Sequence, residues 1–242
     1  MKVCELLKNK QEDLIKNKAI TIVFIGDSVT QGCFECYLAS SGGLSTVFDT
    51  NSAYAMRVRE ILGLLYPSVQ INIINSGING DDAVGCAARF ERDVLAYNPD
   101  LVIMSFGLND SVGGINKIDI YKGALREMLE KLKERDIEAI FLTENTMNTK
   151  VSSHLKEELF LQLAEAFSSK IQNNGVLKAY FDVAKNICAE YGVKVCDLYS
   201  IWERMAFQGV DTTELLANKL NHPIREFHYY MAIKLIETML LD

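Results

Sequence analysis

The chain has 242 residues, of which 49% are hydrophobic and three are proline, enough apolar material to bury one large core. No linker or repeat interrupts it, so a single domain spanning residues 1–242 is expected. A formal charge of -7 without a basic block excludes nucleic acid and anionic membrane as natural partners and leaves a small neutral or cationic molecule.

The opening Met1-Lys2-Val3-Cys4-Glu5 is neither a signal peptide nor a membrane span, so the chain as given reads as cytoplasmic. In that compartment the six cysteines read as free thiols. Apolar residues at helical spacing predict a first helix over 3–16. The run Ile20-Thr21-Ile22-Val23-Phe24-Ile25 predicts a strand buried on both faces, and Gly26-Asp27-Ser28-Val29-Thr30 follows at its carboxyl end. Ligands of open α/β sheets bind at that rim, which makes Ser28 a candidate nucleophile, although Asp27 and Ser28 could equally cap the next helix. Residues 31–52, rich in Gly, Ser, Thr and Cys, read as a long loop over the rim.

Further strands are predicted at 69–74, 101–106, 137–143 and 193–197, separated by helices near 52–65, 81–97, 118–132, 154–169 and 173–191. Pro223 suits the first position of a last helix over 224–240 and would fix His222 at its start. Five strands with helical crossovers imply an α/β fold, a three-layer α/β/α sandwich around a parallel sheet.

Ester hydrolysis by covalent catalysis needs a nucleophile, a base and donors for the oxyanion. Ser28 and His222 supply the first two, and the backbone N–H groups of Ser28 and Gly77 with the Asn109 amide supply the third. Gly26-Asp27-Ser28-Val29-Thr30, Asn75-Ser76-Gly77 with Gly80, Gly107-Leu108-Asn109-Asp110 and His222-Pro223 resemble, in order, the four blocks of the SGNH hydrolases, the GDSL-type esterase and lipase superfamily. That resemblance implies a flavodoxin-like sheet of order 2-1-3-4-5, with Ser28 and Asn109 at the topological switch point, and ester hydrolysis without metal or other cofactor.

One position departs from the family. The acid usually found three residues before the histidine is here Lys219, which cannot accept an imidazole N–H. Asn218, Asp197, Asp211, Glu214 or a backbone carbonyl are the candidates to orient the ring, and the resemblance also implies that a Ser-His dyad suffices in some members. Cys33 and Cys36 have C-x2-C spacing but no matching second pair, so no metal site is expected. Asp27 and Asp110 are expected to shape their turns, and His154 and His228 to serve as solvated or packing residues.

Glu144, Asn145, Met147 and Asn148, beyond the fourth strand, are candidate substrate contacts. Similarity to carbohydrate-acting members points to an acetylesterase acting on a hydroxylated substrate such as a sugar. The alternatives are a lysophospholipase or acyl-thioesterase and, in another class, a binding protein that has lost turnover. A nucleotide-binding domain fits the strand–helix alternation but lacks the G-x-G-x-x-G or Walker loop.

Overall fold

A computed structural model describes residues 1–241. In chain order its elements are α1 (Lys2–Glu12), β1 (Ile20–Gly26), α2 (Ser28–Gln31), β2 (Cys33–Leu38), β3 (Leu44–Phe48), α3 (Tyr54–Leu65), β4 (Ile71–Gly77), α4 (Ala83–Asp93), β5 (Leu101–Ser105), α5 (Leu108–Val112), α6 (Ile118–Glu134), β6 (Glu138–Thr143), α7 (Glu158–Ala166), α8 (Val176–Tyr191), β7 (Lys194–Asp197), α9 (Leu198–Phe207) and α10 (Arg225–Leu240). The main sheet is parallel with order β4-β1-β5-β6-β7, the order the family resemblance implies.

β1 is central because its apolar side chains are buried on both faces: Ile20, Ile22, Val23, Phe24 and Ile25 are all at most 1% exposed. The chain turns to β4 on one side of β1 and then crosses to β5 on the other, which opens the switch-point crevice beyond the carboxyl end of β1. The register aligns the strand ends there: Gly26 lies opposite Gly77 on one side and Ser105 on the other. α3 and α10 pack together on one face, with α1 tied to α10 where the Cys4 thiol donates to the Met239 carbonyl. α4, α6 and α8 pack in a row on the other. No described helix is long and apolar enough to cross a membrane.

Three departures from the sequence reading bear on the site. Residues 31–52 are not a bare loop: β2 and β3 form an antiparallel hairpin, with Tyr37 opposite Ser45 and Leu38 opposite Leu44. Its bulge between Cys33 and Cys36 breaks the alternation that marks a strand, while Gly42-Gly43 between β-forming runs is the hairpin signal. A helix not predicted from the sequence, α9, follows β7 directly, and Asp197 caps it, accepting the Ser200 N–H at 3.1 Å. Pro223 does not begin α10: Ile224 is its cap, and Pro223 lies in extended backbone bridged to Leu216.

Candidate active site

β1 runs straight into the single turn α2, and Ser28 is its first residue. Asp27 caps that turn, its Oδ1 accepting the Val29 N–H at 2.8 Å, so the capping role and a presented Ser28 hydroxyl coexist. Ser28 Oγ lies 2.9 Å from His222 Nε2, and His222 Nδ1 lies 3.0 Å from the Phe34 carbonyl oxygen. A carbonyl can only accept, so Nδ1 carries the ring proton and Nε2 is left to accept the Ser28 proton. The imidazole is 4% exposed. Burial lowers its pKa from 6.5 to about 4, partly opposed by the Phe34 carbonyl, so the ring is neutral and basic at neutral pH.

The side chains considered as ring-orienting groups lie elsewhere. Asp197 binds Thr143, Ser200 and Lys185, Asp211 pairs with Lys150, and Glu214 accepts from Ser152 and pairs with Lys219 at 2.9 Å. That last pairing occupies the Lys219 ammonium, on a residue whose φ of 58° is left-handed. Asn218 acts on the loop rather than the ring: its Oδ1 accepts the N–H groups of Leu220, Asn221 and His222 at 2.9–3.0 Å.

Asn145 and Asn148 are fully buried and form the floor of the same loop rather than a substrate wall. The Asn145 amide donates to the Asn221 carbonyl, the Asn148 amide to the Ala164 and Lys150 carbonyls, and the Asn148 N–H to the Leu220 carbonyl. Met147 is fully buried as well. Glu144 is fully buried behind α5, where its Oε2 accepts the Leu108 N–H at 3.1 Å.

The structure brings Asn109 to the Ser28 turn, its Nδ2 donating to the Asp81 carbonyl at 2.8 Å and to Asp27 Oδ2 at 3.3 Å. Gly77 is placed differently from the sequence reading. Its N–H is taken by Asn75 Oδ1 at 3.0 Å, and a Cβ there would stand 2.3 Å from the Gln31 nitrogen, so this glycine lets β4 pass close under α2. Gly80, three residues on, has a φ of 80°, and no partner within the chain is found for its N–H among the described residues. It sits between Asn79, whose N–H donates to Gln31 Oε1, and Asp81, whose carbonyl accepts from Asn109.

The family model described as GDSL-like Lipase/Acylhydrolase family matches residues 24–228, a stretch that holds Ser28, Asn109 and His222. The chain belongs to the GDSL-like lipase/acylhydrolase family. An acetylxylan esterase of Geobacillus stearothermophilus is 35% identical over 89 residues, 37% of this chain and 39% of that protein. The GDSL esterase/lipase CPRD49 of Arabidopsis thaliana is 26% identical over 186 residues, 76% of this chain and 66% of that protein. The matched stretch is therefore about two fifths of the first relative's length and about two thirds of the second's. The crystal structure of Axe2, an acetylxylan esterase from Geobacillus stearothermophilus, superposes with a TM-score of 0.66 at 21% identity, over 92% of this chain and 95% of that one, and so shares the fold.

In this GDSL-like chain the hairpin of β2 and β3 brings the Phe34 carbonyl to His222, a position that no side-chain motif could reveal. Arg225 clamps the hairpin to the start of α10: its guanidinium binds Glu35 at 2.6 and 3.1 Å and Asp49 at 3.0 Å, and lies 4.2 Å from the centre of the Phe34 ring. His228 packs against that ring at 4.8 Å between centroids and is fully buried, its Nδ1 accepting the Tyr54 N–H at 3.1 Å. His154 stays exposed, 3.6 Å from Glu214. All six cysteines are free, and burial pushes the Cys33 thiol up to about 12, which keeps it from thiolate chemistry at neutral pH. No group of three or more His, Cys, Asp or Glu residues arranged to hold a metal occurs among the described residues.

Proposed function

We propose that this protein is a serine-dependent carboxylic-ester hydrolase that removes a short acyl group, acetyl, from a hydroxylated carbohydrate. The observation that carries the reading is the hydroxyl–imidazole–carbonyl chain: Ser28 Oγ at 2.9 Å from Nε2 of a ring whose other nitrogen must donate to Phe34. His222 Nε2 takes the hydroxyl proton as Oγ attacks the ester carbonyl, and returns it to the leaving alcohol when the tetrahedral intermediate collapses. Water then attacks the acyl-serine with the same nitrogen as base, which releases the acid and restores Ser28.

The Ser28 N–H, the Gly80 N–H and the Asn109 amide are the donors for the oxyanion, with Gly80 in the place the sequence suggested for Gly77. The Asn109 contact to Asp27 is long at 3.3 Å, so its N–H can redirect that hydrogen bond to the developing oxyanion at small cost. The acyl and sugar assignments rest on the likeness to proteins named acetylxylan esterase.

The test is acetate release from p-nitrophenyl acetate and from acetylated xylo-oligosaccharides by the wild type, Ser28→Ala and His222→Ala, each checked for folding. Wild-type turnover lost in both variants supports the reading. A p-nitrophenyl ester series with its maximum at eight carbons or more would instead favour a lysophospholipase or acyl-thioesterase. Binding of acetylated oligosaccharides without turnover would favour a non-catalytic relative.

A further inference from the structure

Beneath the Ser28 turn lie two carboxyl groups that the mechanism does not use. Asp27 and Glu144 are both fully buried, and their carboxyl groups lie close enough to share a hydrogen bond once one of them carries a proton. Two ionised carboxylates cannot share such a bond, so one of them holds a proton. The donors around the pair decide which. Asp27 already accepts two N–H groups, from Val29 on Oδ1 and from the Asn109 amide on Oδ2. Among the described residues Glu144 accepts only the Leu108 N–H, on Oε2, and no donor reaches its buried Oε1.

An ionised Glu144 would leave a buried, negatively charged oxygen without a donor, the costlier arrangement, whereas a neutral Glu144 uses the same group to donate to Asp27. The surroundings agree. Burial is the main cause that holds Glu144 well above the usual carboxylate range and Asp27 at about 6, and the Asp110 and Asp81 carboxyl groups add to it at Glu144 and Asp27 respectively.

We infer that Glu144 is a positioning residue: a neutral carboxylic acid that donates its proton to Asp27 and so limits how firmly Asp27 holds the Asn109 amide. The inference rests on Asn109 serving the oxyanion, as proposed above. Its consequence is electrostatic. The pair carries one negative charge rather than two beside the site where an oxyanion forms, and the Glu144 proton competes with Asn109 for the Asp27 lone pairs, consistent with the 3.3 Å Asn109 contact. The Asn109 N–H is then free to turn its hydrogen bond to the substrate oxygen in the transition state.

Two measurements test this, one of them independent of turnover. Infrared difference spectroscopy at pH 7.5 between wild type and Glu144→Gln should show the carbonyl stretch of a buried protonated carboxylic acid in the wild type alone, and Asp27→Asn, which leaves Glu144 buried, should shift that band without removing it. In turnover, Glu144→Gln keeps a donor toward Asp27 and should retain kcat within about threefold, while the apolar Glu144→Leu should lose kcat at least tenfold with KM within about twofold. Absence of the acid band overturns the protonation assignment whatever the protein hydrolyses. Equal kcat losses in Glu144→Gln and Glu144→Leu with the band present would overturn the positioning role, and inactivity of the folded wild type toward every ester would instead overturn the proposed function.

Discussion

A histidine paired with a carboxylate and one paired with a carbonyl differ most plainly in when they take up a proton. Among the described residues no carboxylate reaches His222 Nδ1; the Phe34 carbonyl does, and the ring is 4% exposed. Burial therefore dominates and lowers the pKa from 6.5 to about 4, a bias of about 3 kcal/mol toward the neutral ring. The sign follows from the role: Nε2 can accept the Ser28 proton only while unprotonated, so activity is lost as pH falls through the histidine pKa. At pH 5 about nine tenths of the rings should still be basic, against about 3% for a ring titrating at 6.5. The assay is the imidazole C–H resonance of His222, assigned by its loss in His222→Ala and followed by NMR from pH 7.5 to 3.5. Asp27, near 6, titrates in the same window, so the resonance rather than the rate carries the test. A midpoint near 4 to 5 is expected; a midpoint at 6.5 or above would refute the assignment of burial over charge pairing at this ring.

Arg225→Ala should free the hairpin that holds the Phe34 carbonyl and lower kcat/KM about tenfold with little change in KM, measured on acetyl esters, while Arg225→Lys, which keeps the charge but not the two-pronged Glu35 contact, should lose less. Gly77→Ala forces a Cβ to 2.3 Å from the Gln31 nitrogen and should destabilise the fold by about 1–3 kcal/mol or more in urea titration. Gly80→Ala has open space and meets only its left-handed backbone, at a cost of about 1 kcal/mol. His228, lowered to about 3 by burial, takes up its proton far more readily in the unfolded chain, so its contribution to stability is present above pH 6.5 and lost as pH falls toward 3. The stability of wild type relative to His228→Phe should therefore shrink by about 3 kcal/mol between pH 7 and 4.5 in parallel denaturant titrations.

The sheet was legible because β1 and β5 are unbroken apolar runs and each crossover is long enough for a helix, which dictates a parallel order. Ser28, Asn109 and His222 were legible because each stands in a short motif at an element's end. What orients His222 was not, since a main-chain carbonyl has no residue signature and the hairpin carrying Phe34 is masked by its bulge. Gly77 and Gly80 share one motif, and only the three-dimensional course of β4 under α2 separates the packing glycine from the one whose N–H has no partner among the described residues. Glu144, Asn145 and Asn148 follow a strand on the active rim, where polar residues suggest a substrate wall. They are buried instead: the Asn145 amide satisfies the Asn221 carbonyl of the loop that carries His222, the Asn148 amide satisfies the Ala164 and Lys150 carbonyls, and Glu144 accepts the Leu108 N–H.

Mass mapping after treatment with a fluorophosphonate ester tests the central claim, that His222 activates Ser28, most directly. Wild-type protein should carry the phosphonyl adduct on Ser28 at one equivalent per chain, and His222→Ala, shown to be folded, should label at least a hundredfold more slowly. Rapid labelling of another serine, or equal labelling of Ser28 with and without His222, would contradict it.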